Sequence, residues 1–269
     1  MKWPMSVTLI RHDTSAYNVL RDEKRGDPLY QEFLELYKEN EKRPLLDQLR
    51  LSRLASQIQE RFALKVGDAE TPLADKEGTQ AYQTGVALSS TESVCGIKAT
   101  EIPDVIFVSP YERARLTLEH LIRGWPELAS VETYEEERIR EQEHGLSLLY
   151  NDWRVFHVLH PEQKTLYKQE GPYWYRYPQG ENVPDVRDRN RSWLNTLVRD
   201  FAGKKVLAVT HHLNILAMRA NLERLGEQEF IRLDTEEKPI NCGVTTYEGV
   251  PNQGKDGRLL LKSYNVKYY

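Results

Sequence analysis

The sequence predicts an α/β fold in which a mostly parallel central sheet lies between two layers of helices. Three short runs rich in β-branched residues are typical of buried parallel strands, and they span residues 6–10, 105–108 and 206–209. Polar residues end each run, and helical patterns follow the second and third. Strands that alternate with helices at wide spacing indicate a three-layer α/β/α sandwich. Residues 245–247 and 259–264 resemble further strands, which we expect at an edge.

A charged segment interrupts this pattern early in the chain. In residues 21–60, 17 side chains are charged, eight positive and nine negative. Apolar residues recur there at helical spacing, which predicts two amphipathic helices broken near Arg43-Pro44. We therefore expect a single domain over residues 1–269 with a helical insertion at about 21–70. The insertion is either a solvated excursion or a lid over the end of the first strand.

The composition excludes several classes of protein. Hydrophobic residues make up 39% of the 269 residues, charged residues make up 29%, and the formal net charge is −4. These values fit a globular chain without a basic field that would attract nucleic acid. Cys95 and Cys242 are too few for a disulfide framework, and no apolar run approaches the ~18 residues of a membrane span. We expect a cytoplasmic protein that binds neither nucleic acid nor membrane, and the sequence leaves open whether it forms a homodimer.

Arginines and histidines follow the three predicted parallel strands. In chain order they are Arg11 and His12, then Arg113 shortly after Ser109, then His211 and His212. Because ligands of open α/β sheets bind outside the carboxyl ends of the strands, we expect these side chains to meet at one site. Arginine provides a planar cationic fork for phosphate oxygens, and a neutral histidine can act as a nucleophile or proton carrier. The pattern predicts a site for phosphate or another small anion.

Six motifs occur in a recognisable order between residue 6 and about residue 220. They read VTLIRHDTSAYN, LADKEGTQA, VSPYERARLTLEHL, RIREQEHG, YRYPQGENVPDVRDR and VLAVTHH. This set resembles the histidine phosphatase superfamily, the phosphoglycerate-mutase-like proteins. The segments SPYER, RIREQEHG and YWYRYPQGE look closest to its broad-range, acid-phosphatase-like branch. The resemblance implies a phosphoglycerate-mutase-like fold and a small phosphorylated substrate, with neither cofactor nor metal.

The resemblance also implies roles for individual residues. His12 would attack phosphorus and carry a phosphohistidine intermediate. Glu141 would protonate the leaving alkoxide and then deprotonate the attacking water. The expected catalytic residues are His12, Glu141, His211, Arg11 and Arg113. The expected substrate-binding residues, which would surround the phosphoryl group, are Arg11, Asn18, Arg113, His211 and His212.

Two glycines of the family pattern are missing. Asp13 follows His12, and His212 follows His211. If those glycines allow the backbone to approach phosphate closely, a side chain at either place must point away or alter the pocket. The Asp13 carboxylate could instead bond to His12 and fix its tautomer.

Three other features allow two interpretations each. Glu143 competes with Glu141 for the acid role, and the motif register favours Glu141. The aromatic cluster at residues 173–177 is either a stacking platform for a base or aromatic packing, and packing is favoured because no basic stripe accompanies it. Three residues at helical spacing are expected to orient the start of a helix rather than to touch substrate: Glu181, Asp185 and Arg189.

The motifs predict a metal-independent phosphomonoesterase that hydrolyses small phosphorylated metabolites through a phosphohistidine on His12. The alternatives are a phosphoglycerate-type phosphomutase and a non-catalytic member that binds a phosphorylated partner. A mutase needs additional basic residues to hold its substrate, whereas residues 146–150, after the acidic motif, read LSLLY. The phosphatase is therefore favoured, and the sequence does not name its natural substrate.

Overall fold

The computed structural model describes residues 2–43, 47–90 and 101–269. Cys95 and Pro44, both named above, lie outside these ranges. The chain divides into two compact units. The first, called the sheet unit below, comprises Met1–Ser15, Ala69–Gln142 and Val183–Tyr269, and the second, the helical unit, comprises Ala16–Asp68 and Glu143–Asn182. In the described ranges, every helix is too short or too polar to cross a membrane.

Six strands of the sheet unit form one sheet. The strands are β1 (Ser6–Arg11), β2 (Val105–Val108), β3 (Thr133–Glu135), β4 (Lys205–Thr210), β5 (Val244–Val250) and β6 (Arg258–Val266). Their order is β3-β2-β4-β1-β5-β6. The first four strands in this order are parallel to one another, whereas β5 runs antiparallel to β1 and β6. The predicted mostly parallel sheet is therefore confirmed, and the two C-terminal strands lie at one edge.

Helices of the sheet unit cover both faces of this sheet. The α-helices of the described residues are α1 (Ala16–Gly26), α2 (Pro28–Lys42), α3 (Gln48–Phe62), α4 (Thr79–Ser89), α5 (Glu112–Gly124), α6 (Trp153–Leu159), α7 (Pro161–Trp174), α8 (Val183–Asp200), α9 (His212–Leu222) and α10 (Glu227–Glu236). Side chains alternate along a strand, so Val206 and Ala208 of β4 pack with α8 and α9 on one face. Leu207 and Val209 pack with α4 and α5 on the other. The predicted three-layer α/β/α sandwich is confirmed.

The charged segment early in the chain forms three helices, not the predicted two. The additional break lies at Asp27-Pro28, where the Asp27 side chain accepts a hydrogen bond from the Leu29 N–H at 2.9 Å and Pro28 takes the first helical position. These are favourable residues for starting a helix. Helix α2 then ends at Lys42, close to the predicted break. The predicted insertion is only one part of the helical unit, because residues 143–182 belong to the same compact unit.

A buried ion pair joins the two segments of the helical unit. Lys24 of α1 is only 1% exposed, and its Nζ lies 3.2 Å from Asp152 Oδ2. The same ammonium group donates to the Asn151 carbonyl, and Tyr30 Oη donates to Asp152. The Asn151 side chain in turn donates to the Phe62 carbonyl at 3.0 Å, at the end of α3. Residues 151–152 are thereby tied to α1, α2 and α3.

Candidate active site

The carboxyl ends of three neighbouring parallel strands meet at one edge of the sheet unit. Strand β4 lies between β1 and β2. The backbone N–H of His12 donates to the Thr210 carbonyl at 2.8 Å, and that of Ser109 donates to the Val209 carbonyl at 3.0 Å. His12, Ser109 and His211 therefore follow adjacent strands, as the sequence predicts.

His12 is held in one tautomer by the backbone. The side chain is 4% exposed, and its Nδ1 lies 2.6 Å from the Asp13 carbonyl oxygen. Because a carbonyl oxygen can only accept, the proton of this bond is on Nδ1, and Nε2 of the neutral ring carries the lone pair. Burial lowers the pKa of His12 well below its usual value, and the positive charges of Arg113 and Arg11 lower it further. The neutral form is therefore the stable one in the folded protein.

His211 is a second buried, neutral imidazole beside His12. It is fully buried, its ring centroid lies 5.1 Å from that of His12, and its Nε2 lies 2.7 Å from Ser109 Oγ. Burial, followed by the positive charge of Arg113, lowers the pKa of His211 well below its usual value. Its Nδ1 is buried without a hydrogen-bond partner among the described residues. A buried polar atom of this kind needs a partner, which a ligand can supply.

Two arginines make the surroundings of these histidines positive. Arg113 is 4% exposed, and its guanidinium carbon lies 4.9 Å from the centroid of the Tyr111 ring. Arg11 donates from Nη1 to the Pro239 carbonyl at 2.6 Å. Both charges act on His12 and His211. A site with two permanent cations and two neutral imidazoles is suited to a phosphoryl group.

Glu141 lies at the start of the helix that follows His211. Its Oε1 accepts hydrogen bonds from the backbone N–H of Gln142 at 3.0 Å and of Leu213 at 3.2 Å. Leu213 is in the first turn of α9, where N–H groups have no partner within the helix. The carboxylate is thus oriented by a helix N-terminus next to the second histidine.

Asp13, at the position of an expected glycine, points its carboxylate away from His12. The side chain is 2% exposed, and its two oxygens accept from the N–H of Thr14 at 2.5 Å and of Ala81 at 3.0 Å. Its backbone N–H donates to Thr117 Oγ1 at 2.9 Å. The expectation that its carboxylate fixes the tautomer of His12 is therefore wrong, because the carbonyl group of the same residue makes that contact.

The two other predicted binding residues have different surroundings. The His212 imidazole is directed at α10, where its Nε2 lies 2.8 Å from Asp234 Oδ1. Asn18 is buried on α1, in the helical unit. For both residues, contact with a phosphoryl group stays a prediction.

Glu143 and Glu181 participate in a close crossing of two segments of the helical unit. The Glu143 N–H donates to Glu181 Oε2 at 3.1 Å. A Cβ atom at Gly180 would collide with the Glu143 carbonyl, and one at Gly145 would collide with the Pro178 carbonyl. The glycines of these two motifs are thus required by backbone packing.

Two tyrosines of the aromatic cluster at residues 173–177 are packed inside the helical unit. Tyr173 and Tyr175 are 4% and 2% exposed, and Tyr175 Oη donates to Gln163 Oε1 at 2.9 Å. Trp174 is 52% exposed, Arg176 is also exposed, and Tyr177 is half-buried. For the two buried tyrosines, the packing interpretation agrees with the structure.

Sequence reasoning missed a loop that supports both Arg11 and His12. Asn241 Nδ2 donates to the His12 carbonyl at 3.0 Å, and the Cys242 N–H donates to the Arg11 carbonyl at 3.0 Å. Cys242 is buried and has a positive φ of 51°. The only signal in the sequence is the turn-like Asn-Cys-Gly ahead of a strand. In the part of the chain that the structure describes, no group of three or more His, Cys, Asp or Glu is arranged to hold a metal ion.

The fold is an α/β/α sandwich with two buried histidines and two arginines at the ends of its parallel strands. Residues 61–255 match the model of the histidine phosphatase superfamily (branch 1), and the chain belongs to that superfamily. The predicted acid-phosphatase-like branch stays a prediction.

Individual proteins are also similar to this chain. The phosphoglycerate mutase-like protein AT74H of Arabidopsis thaliana is 35% identical over 138 residues, which cover 49% of this chain and 46% of that protein. The chain spans about half the length of the curated relatives it matches, 46% and 54% in two cases. Two solved structures share the fold over almost the whole chain. They are the alpha-ribazole phosphatase of Shigella flexneri (TM-score 0.63, 16% identity, 98% of this chain and 97% of that one) and a mycobacterial glucosyl-3-phosphoglycerate phosphatase (TM-score 0.59, 19% identity, 97% and 99%).

Proposed function

We propose that the protein is a metal-independent phosphomonoesterase that hydrolyses small phosphorylated metabolites through a phosphohistidine on His12. The observation that carries this proposal is the bond from His12 Nδ1 to the Asp13 carbonyl at 2.6 Å, which leaves the Nε2 lone pair available for attack. The names of the two similar structures, both phosphatases, support the same reaction class.

In the first step, His12 Nε2 forms a bond to phosphorus while the bond from phosphorus to the leaving oxygen breaks. The leaving oxygen keeps the electron pair of that bond and takes a proton from the Glu141 carboxyl group, so that an alcohol departs. Arg11 and Arg113 stabilise the charge on the phosphoryl oxygens in the transition state. Losing one such donor typically costs about 3–4 kcal/mol of transition-state stabilisation.

In the second step, water attacks the phosphohistidine. The Glu141 carboxylate takes a proton from the water as the new oxygen–phosphorus bond forms. The nitrogen–phosphorus bond breaks, its electron pair returns to Nε2 of His12, and inorganic phosphate leaves. One phosphomonoester and one water are converted into one alcohol and one phosphate, and both side chains return to their starting states.

The orientation of Asp13 allows a phosphoryl group to approach His12. A carboxylate directed at His12 would repel a phosphoryl group. In the structure it accepts two backbone N–H groups, those of Thr14 and Ala81, instead. The replacement of this glycine therefore leaves His12 free to react.

The test is hydrolysis of 4-nitrophenyl phosphate in the presence of EDTA. The wild-type protein is compared with His12→Ala and with a control, His160→Ala, whose imidazole belongs to the helical unit and contacts Tyr150 Oη at 2.6 Å. We expect wild-type and control activity to be similar, and the His12 variant to be inactive. Activity that persists in His12→Ala would refute the proposal, as would wild-type activity that EDTA removes.

Two additional measurements distinguish the alternatives. Rapid interconversion of phosphoglycerates with little release of phosphate would identify a mutase. Tight binding of inorganic phosphate by a wild-type protein that hydrolyses no phosphomonoester would identify a non-catalytic binding protein.

A further inference from the structure

Glu141 lies in a segment that is neither α-helix nor strand. The segment follows a short 3-10 turn at Glu137–Ile139. Its backbone polar groups must therefore find partners in neighbouring elements, and these partners determine its position. The hydrogen bonds from Gln142 and Leu213 orient the carboxylate itself, but they do not hold the backbone carbonyls of the segment.

Arg189 of α8 holds this backbone at two carbonyls. Its Nη1 donates to the Arg138 carbonyl at 2.7 Å, and its Nη2 donates to the Glu141 carbonyl at 3.0 Å. The donors of a guanidinium group have a fixed planar arrangement, so two such bonds define both distance and orientation. The backbone of Glu141 is therefore held directly by Arg189.

A second, uncharged network holds the same segment at residues 138–140, where Asn214 Nδ2 donates to the Arg138 carbonyl at 3.5 Å and to the Arg140 carbonyl at 3.4 Å. Thr210 Oγ1 donates to the Ile139 carbonyl at 2.6 Å. Asn214 Nδ2 donates to Asn190 Oδ1 at 2.8 Å, and Asn190 Nδ2 donates to the Asn214 carbonyl at 3.1 Å. Both asparagines are fully buried. Because this network does not include Arg189, the segment should stay folded when Arg189 is replaced, while Glu141 loses its own support.

We infer that Arg189 is a positioning residue that places the Glu141 carboxyl group for proton transfer to the leaving oxygen. The inference rests on the proposed function. It gives Arg189 a contact that the sequence analysis did not predict, because its guanidinium group bridges residues 138 and 141.

The test measures kcat/KM for a series of phosphomonoesters whose leaving groups range from alkyl alcohols to nitrophenols. Alkoxides are poor leaving groups and need the proton, whereas nitrophenolates leave without it. Arg189→Lys keeps the positive charge, which also acts on His211, but it cannot bridge both carbonyls. The matched control is Arg187→Lys on the same helix. Arg187 also makes two hydrogen bonds, to Asn221 Oδ1 at 3.1 Å and to the Ala220 carbonyl at 3.3 Å, but neither acceptor is in the segment that contains Glu141.

We expect Arg189→Lys to lower kcat/KM for alkyl phosphates roughly 10- to 100-fold and that for 4-nitrophenyl phosphate by less than about threefold, since mispositioning forfeits much of the contribution of a general acid. Arg187→Lys should affect all substrates equally. In a Glu141→Gln background, Arg189→Lys should cause little additional loss, because the group that it positions is already gone.

An equal loss across the series would overturn the inference, because a merely structural defect does not depend on the leaving group. A full additional loss in the Glu141→Gln background would also overturn it. Neither result would affect the proposed function, provided that the wild-type protein hydrolyses these esters. A wild-type protein that hydrolyses none of them would refute the proposed function and, with it, this inference.

Discussion

Replacing His157 with phenylalanine is expected to remove part of the sensitivity of this fold to acid. His157 is 1% exposed, and neither ring nitrogen has a hydrogen-bond partner among the described residues. The ring centroids of Tyr167, Trp153 and Phe156 lie 5.0, 5.5 and 5.7 Å from its own. Burial, followed by the charge of Lys164, lowers the pKa of His157 to about 4.

The size of the effect follows from this pKa. In the unfolded chain His157 takes up a proton near pH 6.5, whereas in the folded protein it stays neutral down to about pH 4. The unfolded state therefore binds more protons between these values, and the free energy of unfolding falls as the pH falls through this window. His157 lowers the free energy of unfolding by about 1 kcal/mol at pH 5.5 and by about 3 kcal/mol below about pH 4.

The assay is urea unfolding of the wild type and His157→Phe at several pH values between 4 and 7.5. His12 and His211 also have lowered pKa values, so the difference between the two proteins isolates the contribution of His157. As the pH falls, the free energy of unfolding of His157→Phe should rise relative to that of the wild type. Tyr167→Phe, which keeps the imidazole, should follow the wild type. A difference between wild type and His157→Phe that does not change with pH would refute this reasoning.

Two further predictions concern a buried ion pair and a close contact between two helices. Lys24→Met removes the nearer of two cations from the buried Asp152 carboxylate, the other being Arg154 at 3.7 Å, and urea unfolding should show a loss of about 3 kcal/mol. The additional change Asp152→Leu should recover part of it, and a neutral single variant would contradict the prediction. Gly85→Ala places a Cβ against the Leu121 carbonyl where α4 meets α5, and it should cost about 1–3 kcal/mol. The control Gly26→Ala has open space around it and should stabilise α1 by up to about 1 kcal/mol, so equal effects at both glycines would contradict the packing argument.

The parallel core of the fold was predictable because its strands are buried on both sides. The runs at 105–108 and 206–209 are continuous and apolar, and they correspond to β2 and β4. Strand β3 was not predicted, since its three residues, Thr133–Glu135, are all exposed and carry no apolar signal. The second segment of the helical unit was also missed, because Gly171 and Pro172 interrupt the helical pattern of α7.

The site was predictable where its residues follow strands directly. Arg11 ends β1, His12 and His211 directly follow β1 and β4, and strand pairing brings the three together. The contacts made by Arg189 and Asn241 were not predictable, because both donate to backbone carbonyls whose positions depend on tertiary structure. Every residue has a backbone carbonyl, so the residue type does not show which carbonyl accepts a hydrogen bond.

The most direct test of the central claim is detection of phosphate bound to His12. Glu141→Gln slows the second step because it removes the base that activates water, so the intermediate should accumulate with a good leaving group. Rapid mixing of this variant with radiolabelled 4-nitrophenyl phosphate should release about one nitrophenolate per chain in a burst. Acid-labile, alkali-stable label should then be found on the peptide that contains His12. Release of nitrophenolate without label on His12, or with label on another residue, would contradict the account.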